Sequence, residues 1–267
     1  MWLINGEANG TLSPFDRGLA YGDGVFRTLK VLNREPVWWT DHYAKLAHDC
    51  AALKLACPEP GLLLDEIRTV TQTLGDAVVK IIITRGPGAR GYAAPEPASP
   101  TRIVIATPLP EAHDIQTGIH VRWCKLQLAR QAQLAGIKHL NRLENVLARQ
   151  EWSDPAIIEG LLCDDTGAVI GGTRSNLFAM RKGCLLTPDL TQSGVAGVTR
   201  ARILRAAQAH GIDVHVGRLE PASMLGADEV FLSNSIAGLW RVATLDQVQW
   251  PSATWTEQFR QWVYETD

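Results

Sequence analysis

The sequence has no surplus of either charge. Its 26 lysines and arginines face 28 aspartates and glutamates, a formal net charge of −2 over 267 residues. That balance argues against a general polyanion binder, because nucleic-acid affinity rests on an excess of cationic side chains that neutralise phosphates; only a local basic pocket is left open. No apolar run approaches the roughly 20 residues that cross a bilayer, and the opening Met1-Trp-Leu-Ile-Asn-Gly6 lacks the charged and long apolar regions of a secretory signal. The expectation is a cytoplasmic protein whose partners include neither membrane nor nucleic acid. Cysteine is scarce and odd in number. Cys50, Cys57, Cys124, Cys163 and Cys184 form no CxxC pair, so neither a disulfide framework nor a zinc ribbon is expected. Walker A, HExxH and GxSxG sequences are missing too, which removes sequence support for phosphate-loop, zincin and hydrolase-elbow chemistry. The seven histidines are scattered, with His42 and His48 off a common helix face, and no metal is expected.

What is present has the composition of an ordinary globular protein, 46% hydrophobic and 20% charged. A chain of this length buries roughly 70–75% of its extended surface and needs no metal or disulfide to support a core. Apolar runs at 25–31 and 36–39 give a strand-rich opening. Leu46, Cys50 and Leu53 fall at helical spacing and predict a helix over 41–56, with a second over 61–74. The runs 77–84 (AVVKIIIT) and 102–107 (RIVIAT) read as buried strands. Together these pieces form a small N-terminal α+β domain over 1–107. The polar, proline-bearing stretch 108–117 is the expected linker, and a larger C-terminal domain follows over 118–267. In it, strands are expected at 118–126, 157–163, 175–180 and 229–233, and helices at 141–152, 198–210 and 254–264, the second of these ended by Gly211.

Gly86, Gly88 and Gly91 spell GxGxxG after a strand. A dinucleotide fingerprint also needs a helix immediately afterwards, so that its amides face the pyrophosphate. Tyr92-Ala-Ala-Pro95-Glu-Pro97 cannot start one.

Four other segments carry chemistry: Asp16-Arg-Gly-Leu-Ala-Tyr-Gly-Asp-Gly-Val-Phe-Arg-Thr28, Arg85-Gly-Pro-Gly-Ala-Arg-Gly-Tyr92, Gly136-Ile-Lys-His-Leu-Asn-Arg-Leu-Glu144 and Gly194-Val-Ala-Gly-Val-Thr-Arg200. In this order they resemble the fold-type IV pyridoxal-phosphate enzymes, the class that holds branched-chain and D-amino-acid aminotransferases and aminodeoxychorismate lyase. The KHLNRLE stretch and the RGxGxRGY loop are most similar to the lyase. The resemblance implies an α+β, two-domain, D-amino-acid aminotransferase-like architecture, a pyridoxal 5'-phosphate cofactor, a small-molecule substrate and a homodimer. It also implies a lyase that releases pyruvate from aminodeoxychorismate and forms p-aminobenzoate for folate biosynthesis. An aminotransferase of the same fold, acting on D- or branched-chain amino acids, is the alternative.

Lys138 takes the place of the Schiff-base lysine in this resemblance, and its position after the apolar run 134–137 suits that chemistry, since partial burial makes a lysine amine a better nucleophile and proton shuttle. The turn at Val198 and Thr199, ahead of the helix over 198–210, is assigned to the cofactor phosphate. Backbone amides and the helix dipole favour an anion there. Asn234 and Ser235 occupy the place of a second phosphate turn. Two departures stand out. Where relatives carry an arginine for the phosphate, this chain has Lys45 in His42-Tyr-Ala-Lys-Leu46, which keeps the charge and loses the two-pronged geometry. Where relatives carry a glutamate for the pyridine nitrogen, it has Gly171, and a pyridine without an anionic partner is a poorer electron sink. An active enzyme with a substituted site, a replacement carboxylate from Glu159, Asp164 or Asp165, and a non-catalytic cofactor-binding protein all fit that glycine. For the substrate the expected residues are Thr28, Tyr92, Arg90, Arg142 and Arg27, arginine forks being suited to carboxylates. Strand alternation sets Phe26 and Thr28 on one face and Arg27 on the other, which favours Thr28 as the pocket residue.

Overall fold

The computed structural model of the protein describes residues 1–110 and 117–265. The chain divides into two compact units, Met1–Glu111 with Ile137–Asn141, and Ala112–Gly136 with Arg142–Asp267. Of the linker expected at 108–117, residues 111–116 lie outside the described ones. The short segment that carries Lys138 packs with the first unit, although it follows that linker in sequence.

The first unit contains β1 (Trp2–Ile4), β2 (Glu7–Ala8), α1 (Arg17–Tyr21), β3 (Gly24–Leu32), β4 (Glu35–Pro36), α2 (Trp39–Ala52), α3 (Pro60–Thr71), β5 (Ala77–Thr84) and β6 (Thr101–Pro108). Among the described residues its strands form an antiparallel sheet in the order β2-β1-β6-β5-β3-β4. Period-two alternation builds the core. Val25, Leu29 and Val31 of β3 and Ala77, Val79, Ile81 and Ile83 of β5 are buried, with Leu46 and Cys50 of α2 and Leu63, Ile67 and Val70 of α3 in the same cluster. Each of the buried valines, leucines and isoleucines contributes about 1.5–3 kcal/mol on burial.

The run 36–39 is not a strand beyond Pro36. Trp38 takes a left-handed backbone (φ 54°), and helix α2 starts one residue later. The same helix stops short of the expected 56 because Lys54, at φ 53°, cannot continue it. Residues 138–140 add a short antiparallel rung to β3. Phe26 N donates to the Lys138 carbonyl at 2.9 Å and Leu140 N to the Gly24 carbonyl at 3.0 Å, with Val25 opposite His139.

The second unit contains β7 (Ile119–Leu128), α4 (Leu143–Arg149), β8 (Ile157–Asp164), β9 (Val169–Gly172), β10 (Asn176–Arg181), β11 (Cys184–Pro188), α5 (Val198–Ala209), β12 (Val214–Gly217), α6 (Pro221–Leu225), β13 (Glu229–Asn234), β14 (Gly238–Leu245), β15 (Val248–Gln249) and α7 (Thr254–Glu265). Its sheet runs β12-β11-β10-β13-β14-β7-β8-β9, with β15 on β14. Helices α5 and α7 pack together on it. Phe178 and Phe231 stack at 5.2 Å under Phe259, and the buried Arg202 of α5 donates to the Val263 carbonyl at 2.9 and 2.8 Å. Helix α4 is shorter than the expected 141–152, because Arg142 keeps a non-helical backbone (φ −117°, ψ 24°) and Asn141 groups with the first unit. Among the described residues no helix is long and apolar enough to cross a membrane.

Candidate active site

In the first unit the rung on β3 decides where Lys138 points. Opposite residues of an antiparallel pair share a face, so Lys138 and Phe26 lie on the same side of the sheet. The lysine's Nζ stands 4.3 Å from the Phe26 ring centroid. Thr28 is on that face too, opposite Lys80 of β5. Arg27, expected among the substrate residues, is on the other face. It is buried at 3% exposure, with its guanidinium on the Asp49 carboxylate, and burial lowers its pKa to about 10.

Lys45 also pairs with Asp49, one helical turn further along α2. Burial, and after it the Arg27 guanidinium, lower the Lys45 pKa to about 7. The resulting cation works at the edge of its charged range, and it in turn pulls the pKa of the exposed His48 down. Asp49 was not anticipated from the sequence. It sits on the α2 stripe of His42, Leu46 and Cys50, and an acidic residue on an apolar stripe is the signal that marks a buried partner for cations.

The Arg85–Tyr92 loop is held by a second missed residue. Arg17, 4% exposed, places Nε on Asp23 at 2.9 Å and donates to the carbonyls of Gly91 (2.9 Å), Tyr92 (2.9 Å) and Ala93 (3.1 Å). Arg85 grips Asp23 from the other side at 2.8 and 3.0 Å. Asp16 caps α1 through Gly18 N and accepts from the Thr84 and Thr101 hydroxyls. With its backbone fixed, the loop leaves the Arg90 and Tyr92 side chains exposed, the Tyr92 ring edge-on to Tyr21 at 5.4 Å.

In the second unit α5 begins at Val198 with Gly197 as its N-cap residue, and no side chain caps it. Asn176 ties the approach, accepting from Gly197 N at 3.1 Å and donating to the Val195 carbonyl at 2.7 Å. A side chain at Gly197 would collide with the Asn176 amide, since a Cβ would lie 2.4 Å from its oxygen. Thr199 is 1% exposed, and its hydroxyl has no hydrogen-bond partner among the described residues. A buried hydroxyl without a partner, at a helix N-terminus whose amides are uncapped, fits an incoming phosphate. Asn234 spends its side-chain oxygen on Ile236 N and Ala237 N, which shapes the turn that carries Ser235. Arg142 stands at the start of α4, its pKa lowered by burial.

Gly171 pairs with Leu162 in the β8–β9 hairpin. The nearby carboxylates are committed elsewhere. Glu159 is fully buried and accepts from Gly160 N (3.0 Å), Thr173 N (3.1 Å), the Thr173 hydroxyl, Arg174 N (3.3 Å) and the Ser175 hydroxyl (2.9 Å). Asp164 holds the 164–168 turn through Thr166 and Ala168, and Asp165 is exposed. Among the described residues no group of His, Cys, Asp and Glu is arranged to hold a metal ion.

The six-stranded unit with its lysine-bearing rung, together with the larger mixed-sheet unit and its uncapped α5 turn, is the architecture of a fold-type IV enzyme. The chain belongs to the amino-transferase class IV family, which it matches over residues 24–245 and which depends on pyridoxal phosphate. It is 41% identical to a crystal structure of 4-amino-4-deoxychorismate lyase from Pseudomonas aeruginosa, with a TM-score of 0.94 over 100% of this chain and 99% of that one. An aminodeoxychorismate lyase from Vibrio harveyi is 32% identical over 90% of this chain and 89% of its own. A putative branched-chain-amino-acid aminotransferase from Methanocaldococcus jannaschii is 30% identical over 90% and 84%.

Proposed function

We propose that this protein is a pyridoxal-phosphate-dependent 4-amino-4-deoxychorismate lyase, which eliminates pyruvate and forms p-aminobenzoate, a folate precursor, in the cytoplasm. The observation that carries this reading is the end-to-end likeness to the Pseudomonas aeruginosa lyase at 41% identity. Lys138, Lys45, Val198, Thr199, Asn234 and Ser235 would hold the cofactor, and Thr28, Tyr92, Arg90 and Arg142 would meet the substrate. When bound, the cofactor supplies an electron sink for charge leaving the substrate's amine-bearing carbon. The Lys138 amine would remove the proton from that carbon. The enolpyruvyl C–O bond then breaks, the ring becomes aromatic, and Lys138 or a water it orients protonates the departing group. The Thr199 hydroxyl and the amides of Val198 and Thr199 hold the phosphate, with Lys45 as a point charge. Subunit pairing is supported by the apolar side of α4, where Leu143, Val146 and Leu147 are exposed.

The aminotransferase reading is tested by supplying D-alanine or a branched-chain amino acid with a 2-oxo acid. Amino-group exchange faster than pyruvate release from aminodeoxychorismate would favour it. Gly171 motivates the third reading, a non-catalytic binder. A Cβ at position 171 would lie 2.8 Å from the Ser175 carbonyl oxygen, so Gly171→Glu must displace the 172–175 turn. It is expected to lower stability by about 1–3 kcal/mol, read by thermal unfolding. If it nonetheless raises lyase turnover strongly, the glycine is a defect in an enzyme; no turnover in either form favours the binder.

A lowered Lys45 pKa has a readable sign. The ammonium is charged below about pH 7 and neutral above it, so its share of phosphate affinity falls as pH rises. Binding of pyridoxine 5'-phosphate, which has the phosphate but no aldehyde, is expected to weaken between about pH 6 and pH 8.5. Lys45→Arg is expected to flatten that profile, because arginine stays charged throughout. Calorimetric titration of the two proteins at both pH values checks this, and parallel profiles would contradict it.

A further inference from the structure

We propose that Asp49 is a positioning residue that fixes the backbone of Lys138 and the ammonium of Lys45 through one buried carboxylate. The proposal rests on the reading of Lys138 as the Schiff-base lysine. Asp49 is 0% exposed, and its two oxygens collect donors from three separate pieces of chain. Oδ2 accepts from the Arg27 guanidinium of β3 and from the Lys138 backbone N–H at 3.1 Å. Oδ1 accepts from Lys45, with the His48 ring nitrogen at 3.3 Å.

The Lys138 hydrogen bond is the informative one. In an antiparallel pair, opposite residues that face each other through the ladder exchange both N–H···O bonds. Phe26 N–H does donate to the Lys138 carbonyl. The reciprocal donor, Lys138 N–H, turns instead to the Asp49 carboxylate. The rung is thus held by β3 on one side and by α2 on the other. A buried carboxylate in a low-dielectric interior tolerates little displacement from its cations, so the plane of the peptide before Lys138, and the direction in which its side chain leaves the rung over Phe26, are both fixed. Because Lys45 reaches the same carboxylate from the i−4 position of α2, the amine that forms the covalent linkage and the cation assigned to the phosphate share one anchor.

This predicts a difference between removing the acceptor and removing only the charge. Asp49→Ala takes both. Asp49→Asn keeps an oxygen that can accept from Lys138 N–H. The Arg27→Met/Asp49→Leu double variant removes the buried cation with the acceptor, and so stays folded where Asp49→Ala leaves Arg27 unpaired. The measurement is the fraction of Lys138 modified by pyridoxal phosphate at a subsaturating concentration, trapped with borohydride and located by peptide mass mapping, with circular dichroism to show that each variant is folded. In the wild type the label is expected on Lys138. Asp49→Ala and the double variant are expected to lose labelling by about a hundredfold, the scale on which a reacting group displaced by about 1 Å loses rate; Asp49→Asn is expected to recover most of it. A folded Asp49→Ala or double variant that labels Lys138 like the wild type overturns the role of Asp49 alone, as does an Asp49→Asn protein that loses as much as Asp49→Ala. A wild-type label on a different lysine overturns the reading of Lys138 itself, and the positioning role with it.

Discussion

Replacement of Lys138 by alanine is expected to abolish turnover while leaving the protein folded. In the proposed mechanism the side chain supplies both the nucleophile and the proton carrier, and general acid–base contributions alone are worth about 10²–10⁴-fold, so the loss should exceed about 10³-fold. The fold should tolerate the change. Lys138 is half-buried, and the bonds that hold its rung, Phe26 N–H to its carbonyl and its own N–H to Asp49, come from the backbone. A stability change within about 1 kcal/mol is expected, measured by denaturant unfolding. Lys138→Arg should be equally inactive, because a guanidinium keeps the charge and cannot act as the nucleophile. Retention of turnover or of covalently held cofactor in either variant would contradict the mechanism.

The largest expected loss of stability follows removal of Glu159. Its carboxylate takes donors from Gly160, Thr173, Arg174 and Ser175 in a fully buried site, and Gly172 packs so closely that a Cβ there would meet the Glu159 side chain at 2.8 Å. Glu159→Ala strands those donors without water. A cost of about 3–5 kcal/mol is expected, which for a chain of this size lowers the melting temperature by roughly 10 °C. Glu159→Gln keeps one acceptor oxygen and turns an amide against the remaining donors, so it should fall between wild type and alanine. The result bears on Gly171. If Glu159 served the pyridine nitrogen in place of the missing glutamate, Glu159→Gln would melt like the wild type and lose turnover, which is the reverse of the expected pattern.

Much of this geometry is legible in the sequence where a period can be counted. The run AVVKIIIT coincides with β5, residue for residue, because alternating burial and β-branched side chains leave little choice. The same alternation separates Thr28 from Arg27, and the structure keeps Thr28 on the Lys138 face. The local pattern marks Asp49 only as an acid on an apolar helical stripe, with Lys45 four residues before it. Its other partners, Arg27 and Lys138, and the carbonyls of 91–93 that Arg17 meets are remote in sequence, so those bonds close only with the tertiary fold. Short strands such as β9 and β12 carry four residues each, too few for a period to emerge. Strand β14 carries Arg241 inside its apolar run. Its guanidinium is buried against the carbonyls of Thr117, Trp250 and Pro251, which lets a charged residue sit inside a strand. Lys138 is placed by motif, three residues ahead of the helix expected over 141–152. The structure puts it on an extended rung, since the helix waits for Leu143.

The most direct test of the assignment follows both products of one reaction. Protein loaded with pyridoxal phosphate is mixed with aminodeoxychorismate, p-aminobenzoate is read by its fluorescence, and pyruvate is read in the same sample by a coupled reduction. Equal release of the two, abolished in Lys138→Ala, is the expected result. Absence of both products, while the Pseudomonas aeruginosa lyase run alongside reacts normally, would contradict the lyase assignment for this chain.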